Sequence, residues 1–182
     1  MSYFIGIDLP KKTKQDLYTQ LAPLADDYPE FSWIEWQNYH ITLFQIGEFE
    51  PKHEPVVIEH VQQALFDVDP TMMYSMGTDM TIHKQITLYA TFQRNKTIET
   101  IAERVEGLFP DDKKKKKEFL ARIVIARYKI PSKQQYFHLK NKLAKMEIDV
   151  EFPVNACVLY KITPHQRNVE YEVVHSFPLG EE

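Results

Sequence analysis

Cysteine is nearly absent. The 182 residues hold one, Cys157, so no intrachain disulfide can form and a zinc site built on cysteines is excluded. Basic charge is not in excess either. Lysine and arginine number 22 against 26 aspartates and glutamates, a net charge of -4. Bulk charge therefore gives no pull toward nucleic acid, and any such contact needs a local basic patch. No apolar run approaches the ~20 residues of a membrane span. The chain opens on Tyr3-Phe4-Ile5-Gly6-Ile7-Asp8, without the basic stretch and apolar core of a signal peptide, so the expected location is the cytoplasm. No serine or cysteine lies in a recognisable nucleophile setting, which leaves esterase or lactone chemistry without support. No His/Asp/Glu spacing resembles a metal site, and no cofactor is expected.

What is present suits a soluble globular protein. Hydrophobic residues make up 43% and charged residues 26%, enough apolar material for a core. The length predicts a single bilobal domain over 1–182. Residues 3–7 read as a buried strand that ends at Asp8-Leu9-Pro10. Leu17, Leu21 and Leu24 recur at helical spacing, so residues 11–25 are expected to be helical, fraying early at Pro23. A short strand is expected over 31–35. Val57, Ile58, Val61 and Leu65 mark a second helix, and Ile98, Ile101, Ala102, Val105 and Leu108 a third. Between them lie a strand over 71–80 with an irregularity at Gly77 and a strand over 86–92.

A strand rich in Ile and Val follows over 119–128. Ser132 and Gln135 carry a capping-box pattern ahead of a fourth helix with Tyr136, Leu139, Leu143 and Met146 on one face. Strands over 148–152, 157–162 and 169–177 close the chain. In the last, Val169, Tyr171, Val173 and Phe177 alternate against Glu170, Glu172 and Ser176, which predicts one core face and one wet face. The order resembles two copies of a strand–helix–strands unit. It predicts an α+β protein with antiparallel sheets and helices packed outside.

The segment Trp36-Gln37-Asn38-Tyr39-His40-Ile41-Thr42-Leu43 reads as a polar turn feeding a strand. Alternation puts His40 and Thr42 on one face and Ile41 and Leu43 on the other. An imidazole beside a hydroxyl on rigid backbone is suited to proton transfer at a phosphate or carbonyl. Trp33, Trp36 and Tyr39 flank it and could stack on a base, with Trp33 expected in the core. Five lysines, 113–117, lie in a loop that could attract a phosphate backbone, although Asp111, Asp112 and Glu118 dilute it.

Phe4-Ile5-Gly6-Ile7-Asp8-Leu9-Pro10, then His40-Ile41-Thr42-Leu43 with Gly47-Glu48 behind it, resembles the 2H phosphoesterases of the bacterial RNA 2′,3′-cyclic phosphodiesterase, or 2′–5′ RNA ligase, family. Val158-Leu159-Tyr160 and the strand over 171–179 are similar too, so the resemblance covers nearly the whole chain. It implies two pseudo-symmetric lobes with a central cleft, across which two His-x-Thr motifs face each other. One histidine helps water attack phosphorus and the other protonates the leaving oxygen. By this resemblance His40 is a proton-transfer residue and Thr42 a phosphate ligand. The partners would be RNA ends or nucleotides with a 2′,3′-cyclic phosphate.

The second motif departs from the pattern. Where the family reads Phe-x-Pro-His-x-Thr-Leu-Ala-Arg, this chain reads Phe119-Leu120-Ala121-Arg122-Ile123-Val124-Ile125-Ala126-Arg127. The histidine is Arg122 and the threonine Val124. Arginine cannot deprotonate, so Arg122 cannot be a general base, but it can grip phosphate with charge-assisted hydrogen bonds. Arg127 falls where the family has a phosphate-facing arginine and is a second clamp candidate. His83 and His165 are the candidates to replace the missing histidine. His175 is expected in the core or at an edge, and His53, His60 and His138 face solvent. Two functions stand: a cyclic phosphodiesterase working through His40, its activity reduced or lost, and a non-catalytic phosphate or RNA-end binder of the same fold.

Overall fold

The structure, a computed structural model, describes residues 1–111, 118–164 and 169–180. The elements run β1 (Ser2–Asp8), α1 (Lys11–Asp27), β2 (Ser32–Trp33), β3 (His40–Glu48), α2 (Glu54–Leu65), β4 (Thr71–Ile82), β5 (Ile86–Phe92), α3 (Lys96–Gly107), β6 (Arg122–Tyr128), α4 (Lys133–Lys145), β7 (Glu151–Val154), β8 (Ala156–Pro164) and β9 (Val169–Pro178). They form two antiparallel sheets, ordered β3-β1-β8-β9 and β2-β6-β5-β4-β7. The α+β expectation holds. No described helix is long and apolar enough to cross a membrane.

β1 is apolar along its length because both of its faces are covered. Tyr3, Ile5 and Ile7 enter the main core, while Phe4 joins Val158 and Tyr160 in a smaller cluster on the other side. α1 brings Leu17, Leu21 and Leu24 to the main core, α3 brings Ile98, Ile101, Ala102 and Val105, and α4 brings Leu139 and Leu143. Asn95 caps α3 by accepting from the Ile98 amide. Ser132 and Gln135 form the expected capping box on α4.

Five expectations need correction, the first being that the strand expected over 119–128 begins only at Arg122. α1 does not fray at Pro23 but runs to Asp27. Pro23 is exposed, and the burial of Leu21 and Leu24 on the opposite side holds the turn together despite the missing amide. The strand expected over 31–35 shrinks to Ser32–Trp33 and is followed by a 3-10 turn, Trp36–Asn38. The strand expected over 148–152 starts only at Glu151. Ile148 and Val150 are buried, but their backbone bonds Ser75 outside the ladder, so an apolar pattern there marks core and not pairing. In β9 the alternation breaks: Leu159 pairs with His175 and Tyr160 with Val173, leaving Val174 as a bulge. One extra residue flips the faces, so Val173 is exposed while Phe177 is buried. The irregularity expected at Gly77 is a register shift between Ser75 and Gly77.

Candidate functional site

β3, the edge strand of the first sheet, meets β6 of the second. Where they meet lies a cavity of about 770 Å³. His40 and Thr42 line it from β3, and Arg122 and Val124 from β6. Ile41 and Ile123, the residues between, are buried in the core. Period-two alternation thus turns both motif pairs toward the same space.

His40 is held on three sides. Its ring lies 4.9 Å from the Phe4 ring, 4.9 Å from Tyr171 and 5.9 Å from Tyr160. Phe4 stacks on Tyr160 at 4.8 Å, which closes the aromatic box. Glycine at position 6 makes room for it. A Cβ there would sit 2.8 Å from the Ile41 carbonyl oxygen, a backbone atom, and 3.2 Å from the Phe4 ring.

The fourth contact sets the tautomer. His40 Nδ1 lies 2.8 Å from the Asn38 carbonyl oxygen. A carbonyl only accepts, so Nδ1 carries the proton and Nε2 of the neutral ring keeps its lone pair. The turn presenting Asn38 is itself tied down: Lys14 donates to the Gln37 carbonyl at 2.8 Å and pairs with Asp8 at 2.7 Å. Asp8 is the β1 partner of His40 in the ladder.

Burial in the aromatic box pushes the His40 pKa below its ordinary value. The Asn38 carbonyl and Asp8 oppose the shift, and the positive charges of Lys14 and Arg127 add to it. Burial is the larger effect, so the ring is neutral at physiological pH and Nε2 can accept a proton. We expect a histidine NMR titration in which His40 has a midpoint below about 6.5. A midpoint above that value would contradict the placement. The sign carries to stability. The unfolded chain takes up this proton first, so the contribution of His40 destabilises the fold as pH drops from the unfolded value toward the folded one.

On the opposite wall, the Arg122 guanidinium lies 4.0 Å above the centre of the Tyr89 ring. That contact is worth about 0.5–1 kcal/mol where water still reaches it, and it fixes the plane of the fork. Arg127 is not among the cavity residues, but its charge reaches His40 and Tyr171. A bulge explains its side of the strand. Leu88 pairs with Ala126 and Tyr89 with Val124, so Ile125 is extra and Arg127, two residues on, returns to the face of Arg122 and Val124.

The α3 wall carries Glu99, Glu103 and Glu106, and Glu118 and Arg94 complete the charged lining. Arg94 binds Glu99 at 2.8 Å. None of these carboxylates was a candidate from sequence. Their helical spacing was visible, but which helix borders the cavity is set by the tertiary fold. The aromatic box was likewise not anticipated, since Phe4, Tyr160 and Tyr171 come from three strands.

Of the candidate replacements, His83 sits exposed in the β4–β5 hairpin and does not line the cavity. His165 and the lysines at 113–117 lie outside the described residues. His175 is half-buried, 4.8 Å from the Phe177 ring. Tyr39 is buried, and Trp33 packs on the core while its indole donates to the Tyr28 carbonyl at 2.9 Å.

No family model and no curated protein matches the chain. Solved structures do. E. coli LigT complexed with 3′-AMP superposes with a TM-score of 0.73 at 14% identity, covering 99% of this chain and 98% of that one. TT0787 of Thermus thermophilus gives 0.71 at 18% identity and 98% of each chain. Kluyveromyces marxianus Usb1 with uridine monophosphate gives 0.64 at 10% identity, again over 98% of each. The fold is that of E. coli LigT, shared end to end.

Proposed function

We propose that the cleft holds the 2′,3′-cyclic phosphate of an RNA end or nucleotide and that His40 acts on it as a base. One observation carries this reading: His40 and Thr42 from one sheet and Arg122 from the other line a single cavity, in a fold shared with LigT. Solved structures of that fold include complexes of E. coli LigT with 3′-AMP and with phosphate. In this chain Thr42 and Arg122 would take the non-bridging oxygens, with Arg127 adding positive potential from the side. The reading calls on no cofactor. The glutamate wall gives no attraction to a long polyanion, which favours a chain end or a nucleotide over a strand. A cytoplasmic location belongs to the same reading.

The pair Arg122 and Val124 favours a second reading, a protein that binds the phosphate without turning it over. Both readings share the clamp. Hydrogen bonds to a charged group are worth about 1.5–3 kcal/mol. Arg122→Ala should therefore weaken binding of a nucleoside 2′,3′-cyclic phosphate by about 10–150-fold in calorimetric titration. Unchanged affinity would remove the phosphate from this cleft.

A further inference from the structure

A displacement at phosphorus that expels a basic oxygen needs two proton transfers, one from the attacking water and one to the departing oxygen. The cleft supplies the first. The Nδ1 proton of His40 is held by the Asn38 carbonyl, so the neutral ring offers Nε2 as an acceptor. Among the described residues the β6 wall lacks the second. Arg122 cannot give up a proton, and Val124 has none to give. Glu99 is engaged by Arg94, and Glu103, Glu106 and Glu118 are carboxylates, which accept. The Tyr89 phenol is the one hydroxyl lining that wall among the described residues. It lies under the Arg122 guanidinium, and its oxygen accepts from Thr81 at 3.2 Å.

Resting on the phosphate reading above, we infer that this cleft hydrolyses phosphoesters and phosphoanhydrides whose leaving oxygen departs as a weakly basic anion, an aryl oxide or a phosphate. It works poorly where a ribose or alkyl alkoxide must be expelled. The oxygen of water attacks phosphorus as its proton passes to His40 Nε2. The bond from phosphorus to the leaving oxygen breaks with its electron pair on that oxygen. Arg122 stabilises the anion by charge and hydrogen bonding without transferring a proton. The His40 imidazolium then returns its proton to water.

The test is a leaving-group series on the full chain: the p-nitrophenyl, phenyl and methyl esters of thymidine 5′-phosphate, with ADP as the anhydride. The expected result is measurable p-nitrophenyl or ADP hydrolysis, abolished in His40→Ala. The rate should fall steeply from aryl to methyl, and Arg122→His should flatten the series by restoring about 10²–10⁴-fold on the methyl ester. Whether ADP or the aryl ester is the faster separates the two sources of the anion. A shallow series in the native protein would overturn the inference. If Tyr89→Phe then steepened it, Tyr89 would be the proton donor. No hydrolysis of any substrate would also overturn it. In that case, retained binding of uridine 2′,3′-cyclic phosphate would leave the phosphate reading standing, and absent binding would remove both.

Discussion

Replacing His40 with alanine is expected to lower turnover of a nucleoside 2′,3′-cyclic phosphate by about 10²–10⁴-fold, the usual range for a positioned proton-transfer group. The size follows from the lack of a second imidazole in the cavity among the described residues. Arg122 cannot accept a proton, and His83, the other described candidate, lies in an exposed hairpin outside the cavity. Binding should change much less, because Thr42 and Arg122 still line the cavity. That split between rate and affinity separates a base from a structural residue. His40 also fills a box of Phe4, Tyr160 and Tyr171, so unfolding curves must show that the variant is folded. His40→Gln, which keeps more of the volume, should be as slow. Turnover equal to that of the native protein in a folded variant would remove His40 from the mechanism.

The second large effect runs the other way. Arg122→His with Val124→Thr should raise turnover of the same cyclic phosphate, by about the 10²–10⁴-fold that one proton-transfer group supplies. Both residues are half-exposed on the cleft side of β6, and Ile123 between them stays in the core, so the exchange rewrites the wall without touching the packing. A histidine at 122 can still lie on the Tyr89 ring, and a threonine at 124 adds a hydroxyl for a phosphate oxygen. A folded double variant with no gain would mean that the two walls are not placed for one phosphate.

Both predictions lean on positions that strand alternation made legible. His40 and Thr42 face the cleft because Ile41 between them is buried, and Arg122 and Val124 do so because Ile123 is. Period two held over those three-residue spans because no bulge interrupts them. It failed where a bulge does. Arg127 shares the face of Arg122 only because Ile125 is an extra residue, and Val173 is exposed because Val174 is. A bulge leaves little trace in sequence, since the inserted residues are as apolar as their neighbours. The helix faces were legible from spacing. What α3 turns toward the cavity was not, because Glu99, Glu103 and Glu106 look like any solvated stripe until β3 and β6 are placed beside them. The box around His40 was hidden for the same reason. It is assembled from β1, β8 and β9, and only Gly6, where an added Cβ would meet the Ile41 carbonyl oxygen, hints at crowding there.

The most direct test of the account is to titrate uridine 2′,3′-cyclic phosphate into the native protein while following the histidine ring resonances by NMR. The account predicts that His40 moves saturably with the ligand, that His83 does not, and that Arg122→Ala weakens the same curve. A ligand that leaves the His40 resonances unmoved while binding elsewhere would contradict it.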